Sequence, residues 1–467
     1  MSKKKPYVLE KVPILDFAAE GVSVAKIEGK VYFVKKAVPG DVADIRIYRD
    51  KKAYAEAEAI HIHSYSSKRQ PSFCEHFGEC GGCKWQHVQY AEQLQFKQQQ
   101  VEEQFKRVGK FEFPEILPIV GSENTTYYRN KLEFSFSHKR WITQQEVDTH
   151  ATIDERPALG FHIPGRFDKI MDINECFLQS EPSNHIRNFI RDYAIEQQLS
   201  FYDILKQEGL LRNMILRNNR KGEWMLIMVF GSADVALFES LLIAIQQKFP
   251  EIISLQYVVN TKLNDSISDL PVQLYAGETF LLENLGDLTF RIQPKSFFQT
   301  NTAQAERLYQ LTLDFASITP NDNVYDLYTG TGTIACYLAR KAKHVTGIEY
   351  VEDAIVDAHA NATMNRLTNT SFYAGDMKQL FTQSLIEKHG VPDVIVTDPP
   401  RSGMHADVVE MLNQSGAKRI VYVSCNPATQ ARDIALMDAH YRVTRVQPVD
   451  MFPHTHHVEN IVLLERK

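Results

Sequence analysis

Short apolar runs alternate with helical segments in the last third of the chain. The strand-like runs cover residues 323–328, 344–349, 393–398 and 419–424, and the segments between them have helical periodicity. Strands that alternate with helices are typical of a doubly wound α/β sheet, which binds its ligands at the carboxyl ends of the strands. We therefore predict an α/β, Rossmann-like domain over residues 291–467.

The start of the chain has a different pattern. Three β-rich runs separated by turns cover residues 21–26, 31–34 and 44–48. They predict a small antiparallel, OB-like β-barrel over residues 1–65, an architecture that often binds RNA.

A mixed central domain is expected over residues 66–290. Near its start, residues 91–108 have a helical pattern. The apolar stripe of this helix consists of Leu94, Val101, Phe105 and Val108, with Gln and Lys on the opposite face.

Composition and charge refine this picture. The 467 residues are 44% hydrophobic and 24% charged, with no run long enough to span a membrane and no secretory signal. Six cysteines in such a chain favour metal binding, catalysis or core packing over disulfides, so we expect a cytoplasmic protein. We also expect a monomer. Net charge is −6, but residues 1–52 hold 12 Lys or Arg and 7 Asp or Glu, a local charge of +5. This basic module fits RNA binding, although a solvated surface would show the same charge.

A glycine loop between the first strand and the next helix predicts a cofactor site. Gly330 and Gly332 allow close approach of a ligand, and Glu349 at the next strand end can bind ribose hydroxyls. The loop also satisfies a loose dinucleotide pattern. Asp326 would repel a pyrophosphate but favour the ammonium group of S-adenosylmethionine, so methyl transfer is preferred over hydride transfer.

Cys425 follows another strand, in Ser-Cys-Asn-Pro, and is a candidate nucleophile. The alternative is an inert core thiol, which is our interpretation of Cys336. A methyltransferase needs such a nucleophile when the carbon that accepts the methyl group is unreactive, as carbon five of uracil is. A thiolate that adds to carbon six turns the ring into an enolate, and carbon five can then attack the methyl donor.

Removal of the carbon-five proton then requires a general base. Candidates are His454, His456, His457 and Glu459. The histidines suggest a metal site but are better explained as surface residues before a final strand, so Glu459 is favoured.

Cysteines also cluster near the start of the central domain. Cys74, Cys80 and Cys83 form a thiolate triad, and Cys176 is the best candidate for a fourth ligand. Four thiolates suit zinc and an iron–sulfur cluster equally well. Three free loop cysteines would be the explanation without a metal.

Asp-Pro-Pro-Arg at 398–401, Ser-Cys-Asn-Pro at 424–427 and His-Val-Glu-Asn at 457–460 occur in this order. Together they resemble the RNA uracil-5-methyltransferase family, in particular members with an N-terminal TRAM domain and an iron–sulfur cluster that act on 23S rRNA. The resemblance covers nearly the whole chain and includes Phe-Phe-Gln-Thr-Asn at 297–301.

The resemblance implies a class I methyltransferase fold, a [4Fe–4S] cluster and roles for particular residues. Cys425 would be the nucleophile and Glu459 the base. Phe297 and Arg401 would contact the substrate. The residues implied for S-adenosylmethionine are Gln299, Tyr328, Glu349, Asp398 and, more weakly, Asp376 and Thr333.

Three alternatives remain open. The target could be a tRNA uridine. The Asp-Pro-Pro motif could serve an exocyclic-amine methyltransferase, which needs neither Cys425 nor Glu459. Finally, the fold could be catalytically inert and only bind RNA, which the intact acids and thiol oppose.

Overall fold

The computed structural model describes residues 6–149 and 154–467, which form three β-sheets, a hairpin and eleven α-helices. The first sheet has the order β1-β5-β6-β4-β3-β2 and is antiparallel except for the parallel pair β4–β6. It encloses an apolar core that includes Ala25, Val34 and Ile45. Lys3, Lys4 and Lys5 of the predicted basic module lie outside the described residues. The strands are β1 (Tyr7–Pro13), β2 (Asp16–Phe17), β3 (Ser23–Ile27), β4 (Lys30–Lys35), β5 (Val42–Asp50) and β6 (Tyr54–Ser64).

Helix α1 (Tyr90–Gln104) continues into a π-helical turn at residues 105–109. The predicted apolar stripe of this helix is wrong at its last residue, because Val108 is 44% exposed. A π-helical turn widens the helix and moves residues after it off the face that precedes it. The predicted polar face is also partly wrong, since Gln93 and Lys97 are fully buried.

The second sheet, in the middle of the chain, has the order β13-β12-β11-β10-β7-β8-β9. Helices α3 and α4 share its apolar core. The strands are β7 (Lys131–Ser137), β8 (Ala158–Ile163), β9 (Arg166–Asp172), β10 (Leu211–Asn218), β11 (Trp224–Phe230), β12 (Ile252–Val259) and β13 (Gln273–Gly277). The helices are α2 (Gln144–Asp148), α3 (Ser183–Glu196) and α4 (Glu239–Lys248).

A hairpin of β14 (Leu281–Leu285) and β15 (Leu288–Ile292) leads to helix α5 (Thr302–Ala316). Hairpin and helix contribute to the same apolar core as the last sheet.

The third sheet confirms the predicted Rossmann-like fold. Its order is β18-β17-β16-β19-β20-β22-β21, with β16 to β20 parallel and β22 antiparallel. The strands are β16 (Asn323–Leu327), β17 (His344–Glu349), β18 (Thr370–Ala374), β19 (Val394–Thr397), β20 (Arg419–Ser424), β21 (Tyr441–Val449) and β22 (Glu459–Arg466). The helices are α6 (Thr333–Ala339), α7 (Glu352–Met364), α8 (Met377–Leu380), α9 (Gln383–His389), α10 (Ala406–Gln414) and α11 (Pro427–Met437).

Parallel pairing aligns the carboxyl ends of the strands at one edge of this sheet. Leu327, at the end of β16, pairs with Ile348 and Thr397 on its two neighbours. The glycine loop, Asp398 and Cys425 follow strands at this edge, and Glu349 is the last residue of β17. None of the helices in the described part of the chain is long and apolar enough to cross a membrane.

Candidate active site

Two turns at the edge of the third sheet are bonded to each other. The Cys425 turn lies between β20 and α11, where Asn426 caps the helix by accepting the Ala428 N–H at 3.1 Å. The side-chain amide of Asn426 donates to the carbonyl of Arg401 at 3.0 Å, and the hydroxyl of Thr429 donates to the same carbonyl at 3.2 Å. The nucleophile candidate is therefore fixed against the Asp-Pro-Pro-Arg turn.

Strand register places Glu459 beside Cys425. Ser424 and Asn460 are direct partners in the antiparallel pair β20–β22, so the residues that follow and precede them are neighbours. Glu459 is buried, at 5% exposure. Burial and the nearby charge of Asp398 raise its pKa well above the usual value, although Arg401 opposes the shift.

The surroundings of Cys425 favour the neutral thiol. Burial raises the pKa of Cys425 to about 12, and the charges of Glu459 and Asp398 act in the same direction. Arg401 lowers the pKa, which makes it the cation that most directly favours the thiolate. Burial alone raises the pKa of Asp398 to about 7.

An acidic residue, Asp326, precedes the glycine loop. Asp326 is fully buried, and its Oδ2 accepts a hydrogen bond from the Thr329 hydroxyl at 2.5 Å, whereas its Oδ1 has no partner. Burial raises the pKa of Asp326 to about 7. A side chain added at Gly330 would meet nothing within 4 Å. The space beside Gly330 leaves room for a ligand, whereas the unpaired oxygen of Asp326 is enclosed by the protein.

Glu349 joins the glycine loop to the next strand. Its Oε2 accepts the Gly330 N–H at 3.1 Å, and its Oε1 accepts the N–H groups of Tyr350 and Val351 at 2.8 and 3.1 Å. Tyr328 adopts a left-handed backbone, with φ of 64°, which is uncommon for a residue with a side chain and often marks a functional site.

The other residues predicted to contact the cofactor or the substrate differ in their burial and hydrogen bonds. Asp376 caps α8 by accepting the Lys378 N–H at 2.8 Å. Gln299 is buried, and its carbonyl accepts from the Asn130 amide at 2.9 Å. Phe297 is 70% exposed. Thr333 begins α6.

The prediction of surface histidines is wrong. His454 and His456 are 2% and 8% exposed, since the loop before β22 folds into the protein. Burial lowers the pKa of each, to about 4 and about 3. His457 Nδ1 lies 3.0 Å from Arg401 Nη2, so the neutral ring accepts a hydrogen bond from the guanidinium.

All four predicted cysteine ligands line one cavity. Cys74, Cys80 and Cys83 are half-buried, Cys176 is buried, and all four are free thiols. The other residues around the cavity are largely apolar. Burial raises the pKa of Cys80 to about 12 and of Cys83 to about 11. In residues 6–149 and 154–467, no three His, Cys, Asp or Glu side chains are arranged to hold one metal ion. Cys336 is fully buried in α6, as predicted.

Sequence reasoning missed several residues that hold the site together. Thr329 and Asn426 could have been found from local signals, a hydroxyl within the glycine loop and an Asn before a helix-starting Pro. Asn130 and Lys97 carry no such signal, because their partners are distant in sequence.

Two family models match parts of the chain. Residues 275–467 match the tRNA (uracil-5-)-methyltransferase family, and residues 10–60 match the TRAM domain. An uncharacterized RNA methyltransferase of Bacteroides thetaiotaomicron is 54% identical over 96% of this chain and 99% of its own. A similar protein of Chlorobaculum tepidum is 43% identical over 92% of this chain and 90% of its own.

Among solved structures, the tRNA (uracil-54, C5)-methyltransferase of Pyrococcus abyssi in complex with S-adenosyl-L-homocysteine has a TM-score of 0.74. It is 28% identical, and the match covers 97% of this chain and 100% of that one. The protein is thus an S-adenosylmethionine-dependent RNA methyltransferase with a TRAM domain. It belongs to the RNA uracil-5-methyltransferase family.

Proposed function

We propose that the protein methylates carbon five of a uridine in RNA through a covalent adduct between Cys425 and carbon six. The observation that carries the proposal is the strand register that brings Cys425 and Glu459 together at the ligand edge of the sheet. An exocyclic-amine methyltransferase would need neither residue.

Each step of the reaction uses a group at this edge. The Cys425 thiolate forms a sulfur–carbon bond at carbon six, and the electrons of the carbon five–carbon six double bond move to the carbonyl oxygen as an enolate. Carbon five then takes the methyl group of S-adenosylmethionine, and the electrons of the broken sulfur–methyl bond remain on the donor's sulfur. Glu459 accepts the carbon-five proton, the double bond reforms, and the thiolate leaves.

The remaining residues have binding roles in this proposal. Asp326 and Glu349 bind the ammonium and ribose groups of S-adenosylmethionine. Gln299, Tyr328, Asp376 and Asp398 complete the methyl-donor site. Phe297 and Arg401 contact the target nucleotide, which must be flipped out of its RNA to reach the buried thiol.

The four cysteines are proposed to hold a [4Fe–4S] cluster. They lie around one cavity with largely apolar walls, which suits a cluster bound by thiolates. Four thiolates suit zinc equally well by their softness, so the metal content of the purified protein distinguishes the two. Anaerobically purified protein should contain about four irons per chain, whereas stoichiometric zinc without iron would contradict the cluster.

We propose that residues 1–65 add RNA affinity, residues 66–290 carry the cluster, and residues 291–467 carry the chemistry. The first candidate for the target is 23S rRNA, because the four cysteines and the TRAM domain together resemble the family members that act on 23S rRNA. A tRNA target is the second candidate, supported by the overall similarity to the Pyrococcus abyssi enzyme.

Mass-spectrometric mapping of 5-methyluridine distinguishes these targets. Ribosomal RNA and tRNA would be compared between cells with the protein, cells without it, and cells with the Cys425→Ala variant. One uridine should lose its methyl group in both deficient strains. Loss of a methylated exocyclic amine instead would contradict the proposal.

A further inference from the structure

Residues 450–458 join β21 to β22 and end at Glu459. They form neither helix nor strand, and all of them are buried or half-buried. A buried segment without regular structure must bond its backbone polar groups to other parts of the protein. The position of Glu459 therefore depends on the groups that bond this loop.

Five consecutive carbonyls of the loop, at residues 450–454, accept hydrogen bonds from donors elsewhere in the chain. We call these donors the loop cradle. They are Gln304 Nε2 to Asp450 at 2.7 Å, Asn301 Nδ2 to Met451 at 3.0 Å, Lys97 Nζ to Phe452 at 3.1 Å, the Tyr128 hydroxyl to Pro453 at 3.0 Å, and the Lys84 and Trp85 N–H groups to His454 at 2.8 and 3.0 Å.

Lys97 contacts two residues of the loop. Its ammonium group also contacts Asp450 Oδ1 at 2.6 Å, and both side chains are completely buried. Asp450 Oδ1 in turn accepts the Phe452 N–H at 3.0 Å, and its Oδ2 accepts from the Tyr90 hydroxyl at 2.8 Å. One buried cation thus fixes both the side chain and the backbone at the start of the loop.

Gln93, one helical turn before Lys97, fixes the middle of the loop. Its Oε1 accepts the His454 N–H at 2.9 Å, and its Nε2 donates to the carbonyls of Trp85 and Val88 at 3.0 and 2.8 Å. The two polar residues that α1 buries therefore both serve this loop.

We propose that Lys97 is a positioning residue for proton removal from carbon five. This inference rests on the proposed function of Glu459. Lys97 acts only through the loop, because its bonds go to Asp450 and Phe452. The turn that carries Cys425 is held mainly by other groups, since Asn426 and Thr429 donate to the Arg401 carbonyl. It meets the loop through the contact between the Arg401 side chain and His457. A shift of the loop should therefore impair the step that uses Glu459 more than the steps that use Cys425.

The test separates these steps in a single turnover of the full chain. Lys97→Met keeps the length of the side chain and removes its charge, and Lys106→Met, at an exposed lysine after α1, is the matched control. RNA with tritium at carbon five of uridine reports proton removal by tritium release, and labelled S-adenosylmethionine reports methyl transfer. Denaturing electrophoresis detects the methylated adduct.

Lys97→Met should transfer the methyl group at nearly the wild-type rate but release tritium about 10- to 100-fold more slowly, since a displacement of about 1 Å can cost that much in rate. The methylated adduct should accumulate. Equal slowing of both steps, or no slowing of either, would overturn the proposal.

If Lys97→Met does not fold, Asp450→Asn, which preserves the shape of the side chain, is measured by the same criteria. The absence of an adduct in Glu459→Gln would instead refute the proposed function, because that variant does not alter the loop cradle.

Discussion

Replacing Asp326 with Asn should stabilise the ligand-free protein and weaken its binding of S-adenosylmethionine. Asp326 is fully buried with one unpaired oxygen, and burial raises its pKa from 3.8 to about 7. Asn keeps the shape and can still accept the Thr329 hydroxyl. The substitution removes the ionisable proton and puts an amide NH2 group in place of the unpaired oxygen, and the missing acceptor for that group offsets part of the gain in stability.

The magnitude follows from proton linkage. Because the pKa is raised by folding, the folded protein holds a proton that the unfolded chain releases, and its stability falls as pH rises through the interval from 3.8 to about 7. At about 1.4 kcal/mol per pH unit, the loss amounts to about 4 kcal/mol by pH 8. The neutral amide avoids this loss, so Asp326→Asn should unfold at a higher temperature than wild type at pH 8.

Binding should change in the opposite direction. A charge-assisted hydrogen bond to the ammonium group contributes about 1.5–3 kcal/mol, so the dissociation constant should rise about 10- to 100-fold. At pH 6 Asp326 is mostly protonated in the free protein and must lose its proton to bind the ammonium group. Calorimetry of the wild type should therefore show weaker binding at pH 6 than at pH 8, with release of protons at pH 6. Asp326→Asn should show a weaker dependence on pH.

Asp438→Asn, at a surface carboxylate after α11, is the control and should change neither stability nor affinity. Unchanged affinity in Asp326→Asn, or a stability profile that follows the wild type from pH 4 to pH 8, would refute the reasoning.

Three further predictions concern other parts of the molecule. Cys176→Ser should lose iron and unfold at a lower temperature; full iron content measured in the purified variant would contradict its role as a ligand. Deletion of residues 1–60 should weaken RNA binding and flatten its salt dependence; an unchanged salt titration would refute that role. The rate of adduct formation should rise about tenfold per pH unit between pH 7 and 9, because the pKa of Cys425 is raised to about 12; a flat profile would show that the thiol is already ionised.

The strand ends of the third sheet could be predicted from sequence because their signals are local. Apolar runs located β16, β17, β19 and β20, and the candidate functional residues lie at the end of each run or within two residues after it. Asp398 and Cys425 come together simply because parallel strands end at one edge. The position of Glu459 could be predicted only with the additional knowledge that β22 runs antiparallel next to β20.

The loop before β22 could not be predicted in the same way. Its histidines have a polar composition typical of the surface, and Lys97 belongs to a helix whose Gln and Lys residues suggest a solvated face. Their burial depends on pairs such as Lys97 and Asp450, which are 353 positions apart in sequence. Hydrophobic periodicity carries no information about such buried polar contacts.

The central claim is that Cys425 forms a covalent bond with the target uridine and that Glu459 is needed to release it. The direct measurement is denaturing electrophoresis of the enzyme with RNA that contains 5-fluorouridine, alongside Glu459→Gln with ordinary RNA. Both should give a methylated protein–RNA adduct, because fluorine cannot leave as a proton and the variant has lost its base. Cys425→Ala should form no adduct with either RNA yet still bind S-adenosylmethionine. Methylation of RNA by Cys425→Ala would contradict the account.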